Sequence, residues 1–175
     1  MAPGSAAGWR AARGSAGWSH MMDPTMVYGP RNAPMPPAAA LLGYLGCVPF
    51  AAGTVALWLV AEPALQRAIA FAVAAYGAVI LSFLGGVRWG REIARQGPVP
   101  GRGPLLLSTV PCVLAWLALL LPGPAHPLLA LLLAFVVVGV LDVQEEELAW
   151  YSRLRLALTA IVGLCLLAAL LAVAL

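Results

Sequence analysis

Hydrophobic and polar positions alternate along this chain by whole segments rather than by single residues. Apolar residues run almost unbroken over 38–61, 65–87, 105–121, 128–141 and 156–175, while polar residues gather in 1–37 and in the joints between runs. About 20 apolar residues, at about 1.5 Å of helical rise each, cross a hydrocarbon core of about 30 Å. Within lipid the backbone must satisfy its own hydrogen bonds, which a helix does inside one segment. The pattern predicts an all-α membrane protein, a bundle of about five transmembrane helices over 38–175.

Residues at the joints sharpen these elements. Glu62 and Pro63 suit the start of a helix: the ring presets φ, and the carboxylate favours the N-terminal end. Pro49 and Pro111 fall inside the first and third runs and are expected to disturb them. The fourth run, 128–141, would rise only about 21 Å as a helix, so its crossing is open on length. Segment 1–37 is rich in Gly, Ala, Ser and Pro and is read as a disordered tail. It also faintly resembles an organelle transit peptide, and Met21, Met22, Met26 or Met35 could each be the true start.

Charge decides the count. The basic residues are all arginine. With five spans, one side of the membrane receives Arg10, Arg13, Arg31, Arg88, Arg91, Arg95, Arg102, Arg153 and Arg155, and the other receives Arg67. Dropping the fourth run would move Arg153 and Arg155 across and spoil the asymmetry. The positive-inside rule therefore favours five spans with a cytoplasmic N-terminus and the C-terminus outside.

A small-residue ridge marks the second run. Ala70, Ala74, Ala78, Ser82, Gly86 and Gly90 recur every four residues, with a shorter counterpart at Ala39, Gly43, Cys47 and Ala51. Helices in lipid associate through close backbone approach along such ridges. The second helix is expected to be central with the first as its neighbour, whether the ridge packs within one chain or between two copies.

Composition agrees with the segment pattern. Of 175 residues, 62% are hydrophobic and 10% charged, against about 25% charged in a soluble domain; mean hydropathy is +0.92. The pI near 9.1 comes from arginines beside apolar runs, with no basic stripe interleaved with aromatics, so nucleic acid is not an expected partner. Membrane lipids are, and possible protein partners are another membrane protein or a second copy.

Candidate chemistry is sparse. Cys47, Cys112 and Cys165 are isolated in apolar runs and His20 and His126 lie apart, so no metal or haem set is assembled. No cofactor site and no catalytic residue is assigned. Ser82 and Ser108 lack a partnering base. The ionisable residues sit at span ends, which speaks against a midplane proton relay. GGVRWGRE at 85–92 is the densest polar stretch. Arg88, Trp89, Arg91, Trp150, Tyr151, Arg153 and Arg155 form a candidate headgroup or interface set. Glu145, Glu146 and Glu147 could pair with Arg153 and Arg155 across their joint, and otherwise read as a solvated face.

AYGAVILSFLGGVRWG at 75–90, LGYLGCVPF at 42–50, PCVLAW at 111–116 and WYSRLRLALT at 150–159 together resemble the family of small polytopic membrane proteins grouped as domain of unknown function 3429, the transmembrane protein 69-like proteins. The resemblance covers 38–175. It implies a multi-spanning protein of bacterial inner membranes or mitochondria and carries over no activity, cofactor or catalytic residue. Arg88 stands where the family pattern often has His, so no mechanism requiring an imidazole there carries over. The Arg-only, Ala-rich composition fits a GC-rich bacterial genome and the bacterial inner membrane.

Three functions are compatible with this sequence. The leading one is a non-enzymatic helper that assembles or stabilises a membrane complex. The alternative is a small oligomeric channel or transporter for an apolar or weakly polar solute, with Pro49 and Pro111 breaking helices beside Thr54, Tyr76, Ser82 or Ser108. The third is a lipid-modifying or redox enzyme using Arg88, Trp89, Asp142 and Tyr151.

Overall fold

The computed structural model describes residues 34–96, 102–145 and 149–175. The proposed disordered tail, apart from its last residues, and the acids Glu146 and Glu147 lie outside them. Among the described residues all regular structure is α-helical: α1 Pro37–Leu45, α2 Val48–Leu59, α3 Pro63–Gln96, α4 Arg102–Leu119, α5 Ala125–Glu145 and α6 Ala149–Ala174. Helices α1 and α2 are two halves of one apolar span, so the described residues form a bundle of five joined units.

The break in the first span has a local cause. Pro49 has no N–H to return to the carbonyl of Leu45. The chain tightens instead, with Gly46 N–H donating to Leu42 O and Cys47 N–H to Tyr44 O, each at 3.0 Å. The Tyr76 hydroxyl on α3 then donates to Gly46 O at 3.0 Å, so a carbonyl freed at the break finds its partner inside the protein. Pro111, by contrast, sits inside α4 without ending it. Ser108 and Thr109 donate their hydroxyls to Leu105 O and Leu106 O, both at 2.7 Å. Neither bond reaches Leu107 O, the carbonyl that would have accepted from an N–H at position 111.

Helix α3 opens as its sequence suggests. Glu62 accepts the N–H of Ala64 at 2.9 Å and that of Leu65, and Pro63 is the first helical residue. Gln66 reaches back to Val60 O at 2.8 Å and fixes the α2–α3 corner. The α4–α5 corner turns at Gly123, whose φ of 72° is a left-handed conformation natural to glycine.

Helix α3 is the centre of the bundle, packing on α2, α4, α5 and α6. Phe50 is fully enclosed, edge-on to Tyr76 at 5.1 Å and to Phe135 at 5.9 Å between centroids. Helices α2 and α6 are joined by Thr54 Oγ1 to Cys165 O at 3.0 Å and Trp58 Nε1 to Ala168 O at 3.1 Å. Leu59, Phe71, Val79, Phe83, Leu106, Trp116, Leu133 and Leu164 project outward. An apolar surface this continuous suits lipid, not water.

Among the described residues four units are long and apolar enough to cross a membrane: Pro37–Leu59, Pro63–Ala94, Ala125–Asp142 and Ala149–Ala174. The shorter apolar helix is Gly103–Leu119, so the short member of the bundle is the third unit rather than the fourth. Helix α5 gains length at both ends of its apolar run. Pro127 falls in its first turn, where no N–H is needed, and Asp142 stays helical because its charge is neutralised from neighbouring helices.

Candidate functional site

The charged residues of three helices meet at one end of the bundle. Asp142 of α5 accepts Arg88 Nη1 of α3 on Oδ1 at 3.2 Å and Arg155 Nε of α6 on Oδ2 at 2.9 Å. Arg91, one turn beyond Arg88, brings Nη2 to 3.9 Å from Oδ1. Asp142 is 2% exposed, Arg155 6% and Arg88 9%. Charges removed from both water and lipid persist only when paired, and one carboxylate offers two oxygens to two guanidinium forks. The outer edge of the cluster is aromatic: the Arg91 guanidinium lies 5.9 Å from the Tyr151 ring centre, and Trp150 stands edge-on to Tyr151 at 5.8 Å.

The headgroup set read from the sequence is thus divided. Arg88, Arg91, Arg155, Trp150 and Tyr151 come together around Asp142, with Arg88 and Arg155 inside the protein. Trp89 and Arg153 stay exposed. Arg155 pairs with Asp142, thirteen residues earlier in the chain, and the pairing considered for Glu145, Glu146 and Glu147 concerns side chains outside the described ones. Of the suggested enzymatic group, Arg88 and Asp142 are bonded and Tyr151 joins through Arg91, while Trp89 faces away.

Asp142 is the residue that the sequence reading underweighted. The signal was an acid directly after an apolar run, with arginines at matching ends of two other runs. Two buried polar atoms remain beside it without a hydrogen-bond partner: Arg155 Nη2 and Thr159 Oγ1, one turn apart on α6. Thr159 packs on Gly139 of α5, where an added Cβ would lie 2.8 Å from Oγ1.

The ridge of α3 is divided as well. Ala70, Ala74 and Ala78 are buried, Ser82 is half-buried and bonds back to Ala78 O at 2.8 Å, and Gly86 and Gly90 are exposed with nothing near a would-be Cβ. A helix turns about 100° per residue, so a four-residue repeat drifts about 40° each step. The buried line passes instead through Leu81, Leu84, Gly85 and Arg88. At Gly85 a Cβ would meet Ser108 O of α4 at 2.6 Å.

The polar residues considered for a solute path each have a partner. Thr54 bonds Cys165 O, Tyr76 bonds Gly46 O, Ser82 bonds Ala78 O and Ser108 bonds Leu105 O. Among the described residues no three of His, Cys, Asp and Glu gather as a metal site.

Comparison with known proteins fits this architecture. The model of the family described as "Protein of unknown function (DUF3429)" matches residues 35–171. The chain is similar to "Transmembrane protein 69" of Xenopus tropicalis, 38% identical over 139 residues, which are 75% of this chain and 52% of that protein. The chain therefore spans about half the length of this relative. No solved structure matches. With its match running from the start of the first span almost to the end of the last, this chain belongs to the DUF3429 family of membrane proteins.

Proposed function

We propose that the protein is a small oligomeric channel or transporter for a weakly polar or apolar solute. We place it in the bacterial inner membrane with its N-terminus in the cytoplasm, and the mitochondrial inner membrane is the alternative. The observation that carries the reading is the interrupted first span. Backbone leaves helical geometry at membrane depth only where protein or a cavity shelters it, and transporters use such breaks to present carbonyl groups to a solute. Gly46 and Cys47 form such a break, and one donor, Tyr76, closes it. Rotation of that hydroxyl would free Gly46 O at the α2–α3 contact, where a solute hydroxyl or amide could replace it. The Asp142 cluster holds the other helices together at one end while this contact changes.

The test is flux into vesicles carrying the purified protein, read by light scattering with glycerol and urea as solutes. Permeation above that of protein-free vesicles, altered at least severalfold by Tyr76→Phe, is the expected result. Permeation equal to that of protein-free vesicles would reject the reading.

A second reading, a helper that stabilises a membrane complex, is favoured by a different observation. Thr54, Tyr76, Ser82 and Ser108 all bond backbone carbonyls, as in a static bundle. It predicts a foreign subunit in constant ratio when the protein is isolated from its own membrane in mild detergent.

A further inference from the structure

Arg67 is the arginine that does not fit the charge pattern. Arg67 and Arg88 are on the same helix, and their separation corresponds to about 31 Å of rise, the thickness of a hydrocarbon core. With the Asp142 cluster at one membrane boundary, Arg67 lies at the other. Among the described residues Arg88, Arg91, Arg153 and Arg155 lie at the cluster's end, so Arg67 stands apart from them at the other end of α3. It has no ion-pair partner among the described residues. The nearby acid in sequence, Glu62, directs its carboxylate to the N–H groups of Ala64 and Leu65.

Arg67 instead borders a cavity of about 260 Å³ where the start of α3 meets the α4–α5 corner. Ala70 and Ala74 line it and are otherwise buried, Phe71 forms a wall that reaches the lipid-facing surface, and Leu119 and Pro127 line it from α4 and α5. The two alanines create the space, because larger residues there would fill it. The combination is a cavity with largely apolar walls bordered by a cation that forms no ion pair among the described residues, although the Glu62 carboxylate lies within its electrostatic reach.

We propose that this cavity binds an amphiphile with an anionic head, its acyl chain against Phe71, Leu119 and Leu121 above the buried Ala70 and Ala74, and its head on the Arg67 guanidinium. A planar fork of N–H donors matches the oxygens of a carboxylate or a phosphate. The ligand is either a free fatty acid or an anionic phospholipid, since both offer this chemistry. The site is independent of any solute path through the bundle.

The test is native mass spectrometry of the full chain in mild detergent, titrated separately with oleate, phosphatidylglycerol and phosphatidylcholine. One saturable adduct per chain is expected with an anionic amphiphile, with at least tenfold weaker binding for Arg67→Gln and a comparable loss for Ala74→Leu. Saturation by oleate alone assigns the site to fatty acids, and saturation by phosphatidylglycerol alone assigns it to phospholipid. Equal retention of phosphatidylcholine, or unchanged binding in Arg67→Gln, would overturn the proposal. Arg67 is exposed and outside the core, so its variant decides the matter even if Ala74→Leu fails to fold.

Discussion

Single residues decide where these helices touch. Gly85 and Gly86 are neighbours with opposite surroundings: a methyl group at Gly85 would collide with Ser108 O, while one at Gly86 meets nothing. Gly85→Ala is expected to cost about 1–3 kcal/mol as an overpacked contact with backbone. Gly86→Ala should be neutral or stabilise by up to about 1 kcal/mol through helix propensity. Unfolding in detergent micelles, compared between the two variants, checks this. Ala70, Ala74 and Ala78 of the small-residue pattern are buried. Gly86 and Gly90, further along it, are exposed, because a repeat of four residues is not the helical period. Reading it at 3.6 would have selected Gly85 over Gly86. Asp142 was harder to read. Its partners lie 54 and 13 residues away, and no local pattern says which arginine an acid will meet.

At the scale of elements, helix boundaries follow from backbone donors and their acceptors. The start of α3 depends on Glu62, whose carboxyl is held below its usual pKa by the N–H groups of Ala64 and Leu65, with Arg67 adding to the effect. A carboxyl lowered in the folded state stabilises above its unfolded pKa and loses that contribution as pH falls through the folded value. The cap should therefore be complete at neutral pH and disappear in acid. The amide resonances of Ala64 and Leu65 should titrate together with a midpoint below 4.5, the carboxyl's reference value, and Glu62→Gln should abolish that titration. Apolar runs also gave the helices and their order from the sequence alone. Their ends were less legible, because Pro127 and Asp142 look like breakers until their surroundings are known. Proline at a helix start needs no donor, and a neutralised aspartate can continue a helix. The two prolines inside runs behave differently. Ser108 and Thr109 bond carbonyls one turn back in α4, whereas the first span turns at Gly46 and Cys47 and draws on Tyr76.

For the whole molecule, apolar faces, a central α3 and one charged end combine into a bundle that must be threaded through lipid. Helix α4 is the short member, yet it runs along α3 and carries the chain between the two ends. Cysteines introduced at Ala94 and His126, the positions on either side of α4, should consequently react with an impermeant thiol reagent from opposite faces of sealed vesicles, in a background lacking Cys47, Cys112 and Cys165. Reaction from the same face would mean that the chain crosses the bilayer an even number of times between the two positions.

The bundle's closure at its charged end rests on Asp142, which joins α3, α5 and α6 through Arg88 and Arg155. Removing one member of a buried ion cluster leaves the others unneutralised and typically costs about 3–5 kcal/mol, whereas replacing all members with apolar residues is often neutral. The direct measurement is the unfolding free energy of Asp142→Asn beside that of the combined variant Asp142→Leu, Arg88→Leu, Arg155→Leu, both in the same detergent. The single variant should lose about 3–5 kcal/mol and the combined variant should recover most of it. A single variant within about 0.5 kcal/mol of the parent, the range of ordinary surface substitutions, would contradict the cluster as the lock of the fold.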